Sequence, residues 1–241
     1  MSTFLFVHGA FQGGWVWRQA ADKLARNGHD VHAPTLSGCG YLNRNGADGS
    51  DLTAFIDEVV GYVEMEDLED FVLVAHSFSG MICGAVMMRI PEQIRHAVFV
   101  DAIIPEPGRS FADIGGEPFR QMLEKHRREN GTIAPWPLPV FGVNGEGTAW
   151  FAPRLRPFSG QAFTTPFPDP FDPHRTPASY ISCQETMSPF IRAMAAKAEE
   201  YGWPKMTLAS GHCPMVTCPD ELVKALVILT GSNQDYRMHF E

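Results

Sequence analysis

The segment Ala75-His76-Ser77-Phe78-Ser79-Gly80 sets a serine between a run of strand formers and a run of helix formers. A serine on such a strand-to-helix turn is held in strained backbone geometry with its Oγ projecting above the sheet. That is how a protein presents an alcohol as a nucleophile. The turn demands small residues two before and two after the serine, and Ala75 and Ser79 meet that demand. A helix-capping serine is the structural alternative, but strand, turn and helix in register favour the nucleophile. The helix N-terminus adds partial positive charge beneath a developing oxyanion.

Two other segments supply what a serine nucleophile needs. His8-Gly9-Ala10-Phe11 closes the first apolar run. In a parallel sheet that loop lies beside Ser77, above the C-terminal strand ends where ligands bind. Gly9 lets the backbone turn inward, so the amides of Ala10 and Phe78 are the expected oxyanion hole. Gly13-Gly14-Trp15 then reads as a shaped loop rather than a plain tight turn. Gly211-His212-Cys213-Pro214 follows the last strand run, and among nine histidines only His212 is placed by topology to serve Ser77 as general base. His76 points the other way along the turn and reads as structural. His8, His32 and His174 carry no comparable argument.

These residues require a sheet with a defined order. Apolar runs at 4–7, 31–33, 71–75, 97–100, 180–183 and 206–209 read as strands. Helices are expected at 15–27 (stopped by Gly28), from Ser50 or Asp51 to about 66, at 78–89 before Pro91, at 189–200 and at 220–230. Residues 36–49, with four glycines and two asparagines, read as a loop. Alternation of this kind predicts an α/β fold: a mostly parallel sheet of about six strands with helices on both faces.

Between 105 and 177 the pattern breaks. This stretch holds 13 of the 19 prolines and 8 of the 17 phenylalanines. Pro135-Trp136-Pro137-Leu138-Pro139 and Pro166-Phe167-Pro168-Asp169-Pro170-Phe171 cannot be helix interiors. A segment this aromatic is not a solvated linker, so it reads as an insertion: one helix at about 118–129, then irregular chain. Its ten aromatic residues at 111, 119, 136, 141, 150, 151, 158, 163, 167 and 171 suggest a bulky apolar or aromatic substrate, or a packed cover without ligand contact. The chain thus divides into a core of 1–104 and 178–230, an insertion of 105–177, and a polar tail of 231–241.

The chain has 241 residues, 44% of them hydrophobic and 20% charged, a globular composition with enough length for a real core. A net charge of −9 argues against nucleic acid and anionic membrane partners. No apolar run reaches a membrane span, and Met1-Ser2-Thr3 opens without a basic region, so no signal peptide is expected. Five cysteines at no metal-like spacing suggest reduced thiols in the cytoplasm. No phosphate-binding glycine loop with a lysine and no metal motif is present, so no cofactor or metal is expected.

Taken together, these segments resemble the α/β-hydrolase superfamily. The nearest branch is that of plant methylesterases, hydroxynitrile lyases and bacterial carboxylesterases, including pyrethroid-type ester hydrolases. The likeness rests on residues 8–15, the Ser77 elbow, Val100-Asp101-Ala102 with Pro105-Glu106-Pro107-Gly108, and residues 211–214 followed by Pro219-Asp220-Glu221-Leu222. It implies a sheet that starts with the oxyanion strand and an inserted cap over the site. It also implies a serine hydrolase acting on a small-molecule carboxylic ester through an acyl-enzyme, and a homodimer is compatible with it. One position departs from the pattern. Relatives place an aspartate a few residues past the strand at 180–183, where this chain has Thr186. Two carboxylates are candidates to orient His212: Asp101, at the end of the strand after the nucleophile helix, has the better position, and Glu185, one residue from the usual place, is the alternative. A third reading has no acid and makes the chain a ligand-binding member of the family. Lyase chemistry of the hydroxynitrile type has a weaker basis, because relatives with that activity carry lysine where this chain has Cys213. Lactone or carbon–carbon cleavage stays open on the same scaffold.

Overall fold

The apolar runs assemble into one sheet. In chain order the elements are β1 (Thr3–Val7), α1 (Arg18–Arg26), β2 (Asp30–His32), α2 (Leu52–Met65), β3 (Phe71–His76), α3 (Ser79–Arg89) and β4 (Ile94–Val100). Then follow α4 (Phe111–His126), β5 (Thr132–Ile133), α5 (Leu138–Phe141), α6 (Glu146–Phe151), β6 (Phe158–Ser159) and α7 (Gly160–Thr164). The chain closes with β7 (Ala178–Cys183), α8 (Pro189–Glu200), β8 (Lys205–Leu208), α9 (Pro214–Thr217) and α10 (Pro219–Leu229). The structure, a computed structural model, describes residues 1–43 and 50–232. Positions 44–49 of the expected loop and 233–241 of the expected tail lie outside the described residues.

Six strands form the main sheet in the order β2-β1-β3-β4-β7-β8, with every pairing parallel. Every residue of β3 is buried, as a central strand covered on both faces must be. The chain moves one way from β1 to β2 and the other way from β3 to β4. Right-handed crossovers therefore put α1 and α3 on opposite faces. Helix α10 packs with α1, and α2 with α3. This topology brings the C-terminal ends of β1, β3, β4, β7 and β8 to one edge of the sheet.

The insertion differs from its expectation. Its first helix begins at Phe111, not near 118, and ends at His126. Ser110 caps it reciprocally: its Oγ accepts from Asp113 N at 3.1 Å while Asp113 Oδ2 accepts from Ser110 N at 2.9 Å. Gly116, at φ 70°, bends the path, and the helix resumes through Pro118. The remainder is not irregular. β5 and β6 pair antiparallel, and α5, α6 and α7 are each one or two turns long. Prolines sit in the first turn of α5, where a missing N–H costs nothing. The expected helix at 15–27 is also divided: a tight 3₁₀ turn at Gly14–Trp17 precedes α1.

Candidate active site

The elbow after β3 is built by close backbone approach. Ser77 has φ 57°, and α3 begins two residues later. Five non-glycine residues among those described have left-handed φ, and three of them, Phe11, Ser77 and Asp101, lie in the loops that leave β1, β3 and β4 at this edge. Strain of this kind persists only where the surroundings enforce it. Gly9 crosses directly over the elbow: a Cβ there would lie 3.0 Å from His76 Nδ1 and 3.1 Å from Ser77 Cβ. Ser79 does more than stay small. Its hydroxyl accepts from His76 N at 2.8 Å and donates to the Val7 carbonyl at 2.8 Å, fastening the elbow to the end of β1.

Three of the residues singled out by sequence form a hydrogen-bonded row. Ser77 Oγ lies 2.9 Å from His212 Nε2, and His212 Nδ1 lies 2.7 Å from Asp101 Oδ2. A carboxylate only accepts, so Nδ1 carries the hydrogen and Nε2 is left to accept from the serine hydroxyl. Asp101 also accepts from Cys183 N at 3.2 Å and from the hydroxyl of Thr186. Buried Tyr180 holds the chain just past Asp101 by donating to the Ala102 carbonyl at 3.0 Å. Glu185 is exposed, with its backbone N–H bonded to the Ser210 carbonyl, and its side chain takes no part in the row.

The oxyanion loop lies beside this row. Ala10 and Phe78 are both buried, and no acceptor among the described residues meets the backbone N–H of either. Buried unpaired amides are rare enough to mark a place for a ligand oxygen. Gln12, which sequence reading passed over, ties this loop to the histidine loop. Its Oε1 accepts from Gly9 N at 3.3 Å, and its Nε2 lies 3.5 Å from Cys213 Sγ. Nothing in the local sequence marks the tie from Gln12 to Cys213, which is 201 positions away.

His76 lies under His212, with ring centroids 4.7 Å apart, and donates from Nε2 to the His212 carbonyl at 2.7 Å. Burial, reinforced by the neighbouring His212, holds its pKa well below the ordinary histidine value. It remains a neutral donor that fixes the His212 backbone. His8 is likewise buried and lowered to about 4, accepting from Leu36 N at 3.1 Å and donating to the Gly9 carbonyl. No group of three or more His, Cys, Asp or Glu among the described residues is arranged to hold a metal ion.

Above Ser77 the insertion forms the roof of a cavity with two parts. The inner chamber, about 50 Å³, touches Ser77, His212, Ala10 and Phe78. An outer chamber of about 370 Å³ adjoins it, and the two share Phe119, Met122, Val140, Ser188 and Phe190. Of the ten aromatic residues noted in the insertion, Phe111, Phe119, Trp136, Phe141 and Phe163 face the inner chamber. The other five pack elsewhere: Trp150 and Phe151 on Trp15, Phe158 on Phe55, and Phe167 on Phe171. The insertion and the histidine loop also touch backbone to backbone. A Cβ on Gly142, just after α5, would lie 2.5 Å from Gly211 Cα and 2.7 Å from His212 N.

The sheet order and the strained serine define a hydrolase scaffold of one class. The sequence model described as the Alpha/beta hydrolase family matches residues 4–225, and the chain belongs to that family. It is similar to a carbendazim-hydrolysing esterase of Nocardioides sp. (strain SG-4G), 30% identical over 95% of this chain and 100% of that protein. Methylesterase 10 of Arabidopsis thaliana is 33% identical over 50% of this chain and 44% of that protein, so this match spans less than half of the plant relative. Among solved structures, an extracellular α/β-hydrolase from a Paenibacillus species superposes with a TM-score of 0.83 at 23% identity, covering 95% of this chain and 99% of that one. At that identity the likeness is one of fold. No helix among the described residues is long and apolar enough to cross a membrane.

Proposed function

We propose that the chain hydrolyses a neutral carboxylic ester through an acyl-enzyme on Ser77. The observation that carries this reading is the hydrogen-bonded row from Ser77 Oγ through His212 to Asp101, beside two unclaimed amides. Ser77 Oγ attacks the ester carbonyl carbon while His212 Nε2 takes its proton. The carbonyl oxygen, now anionic, is held by the N–H groups of Ala10 and Phe78. Asp101 orients and balances the imidazolium, which passes its proton to the departing alcohol oxygen. A water molecule then gives a proton to His212 and attacks the acyl carbon, and His212 returns that proton to Ser77 Oγ as the acid departs. Each step moves protons among these side chains, substrate and water, and the chemistry requires no cofactor.

Esterase names among the relatives support an ester over other scissile bonds. The division of the cavity supports a substrate with a slim group at Ser77 and its apolar bulk in the outer chamber. On this reading residues 105–177 are a cap over a core of 1–104 and 178–230. No disulfide links the cysteines among the described residues, which fits a reducing compartment, and we place the protein in the cytoplasm.

The test is labelling with a fluorophosphonate together with hydrolysis of aryl esters. Ser77 is expected to label covalently, and Ser77→Ala, folded by circular dichroism, is expected to lose at least about 1,000-fold in kcat. Undiminished hydrolysis by Ser77→Ala overturns the reading.

A further inference from the structure

Ser188 occupies the residue before α8, where a serine side chain ordinarily caps the helix by accepting from the second or third amide. Here it makes no capping bond. The amides it would cap belong to Phe190 and Ile191, whose side chains face the inner chamber. Its hydroxyl is closed to solvent and has no hydrogen-bond partner among the described residues. It lines both chambers, at their junction.

The other polar side chains of the cavity are already committed. Gln12 spans Gly9 and Cys213, and Ser77 and His212 are bonded to each other. The outer chamber has no polar side chain apart from Ser188, and neither chamber is lined by an aspartate, glutamate, lysine or arginine. A buried hydroxyl that forgoes a local partner is costly unless something else meets it.

We infer that Ser188 is a specificity-determining residue whose hydroxyl, turning about the Cα–Cβ bond into the cavity, receives one neutral polar group of the substrate, remote from the scissile carbonyl. The inference rests on the ester-hydrolase reading and narrows its substrate. The preferred ester is uncharged and mostly apolar, with a single ether- or carbonyl-type oxygen at the waist between its slim and bulky portions. Apolar walls on either side make this hydroxyl the group that sets how deep the substrate sits.

The experiment compares matched esters in which an ether oxygen replaces one methylene at successive positions, three or more bonds from the carbonyl, in an acyl series and an alcohol series. In the unaltered protein one position is expected to favour the ether over its all-carbon partner. Ser188→Ala is expected to reduce that preference by about 3- to 10-fold in kcat/KM, the worth of one neutral hydrogen bond. Ser188→Thr, which keeps a hydroxyl, is expected to retain it. The melting temperature of Ser188→Ala should stay unchanged, whereas a capping serine would lower it. Ser77-dependent hydrolysis with the same ether preference in Ser188→Ala overturns the assignment alone, as does a lowered melting temperature with no change in preference. Hydrolysis of these esters that survives Ser77→Ala, or none at all, overturns the ester-hydrolase reading and this inference with it.

Discussion

Thr186 donates its hydroxyl to Oδ2 of Asp101, the same oxygen that His212 Nδ1 meets at 2.7 Å. The residue at the place where the resemblance leads one to expect an acid supports a carboxylate from the neighbouring strand instead. Strands β4 and β7 are adjacent in the sheet, so side chains from the two strand ends meet at one carboxylate oxygen.

This relationship predicts how the acid can be moved. Asp101→Asn is expected to lower kcat by about 1,000- to 10,000-fold. Glu185→Gln, an exposed change, should stay within about twofold. Thr186→Val removes a donor to a charged acceptor and should cost about 10- to 100-fold. The double variant Asp101→Asn/Thr186→Asp returns a carboxylate to the β7 loop and should recover at least about 10-fold of the Asp101→Asn loss. Steady-state kinetics on one aryl ester measures all four.

The cavity walls predict discrimination by charge. A carboxylate or ammonium on the body of the substrate would have to leave water for a site without a counter-ion among its lining residues. Charged esters should therefore fall at least about 100-fold in kcat/KM below neutral ones of the same shape. A panel of paired neutral and charged esters reads this directly.

His8 and His76 predict the pH dependence of stability. Both have folded pKa values below the ordinary histidine value of 6.5, His8 at about 4. The unfolded chain therefore binds more protons than the folded one as pH drops below 6.5. Stability is fully present above that pH and is lost on acidification, by up to about 1.4 kcal/mol per pH unit for each residue. Urea titrations between pH 7.5 and 4.5 should show the decline, to which half-buried His96, also lowered by burial, adds, and replacing His8 by Asn should make its slope less steep.

The contact of Gly142 with Gly211 predicts that the roof and the histidine loop fail together. Gly142→Ala adds a Cβ 2.7 Å from His212 N at a position with φ 64°, and something must shift. A displacement of about 1 Å at a general base is enough to cost about 100-fold in rate. Reduced kcat with a nearly unchanged KM checks this, and an unchanged kcat in folded Gly142→Ala contradicts it.

Sequence pattern carried some of these features and not others. Ser77 and His212 were legible because each follows a strand run, and strand ends in a parallel sheet converge on one edge. Position at a strand end favoured Asp101 over Glu185 in sequence, but only the geometry across the β4–β7 pair shows which side chain reaches His212. Gln12 and Thr186 act on partners distant in the chain, so no local spacing marks them. The insertion was legible as a composition and not as elements. Helices of one or two turns leave no period to read, and the Ser110–Asp113 cap lies ahead of two glycines and a proline that look like a helix start.

Because Gly142 and Gly211 leave no room for a side chain between them, α5 cannot press further inward without displacing the loop that carries His212. The outer chamber instead lies against α4 and the start of α8, where Met122, Met187 and Phe190 form yielding walls. Adjustment to a bulky guest can fall on those walls and leave the loop that carries His212 in place.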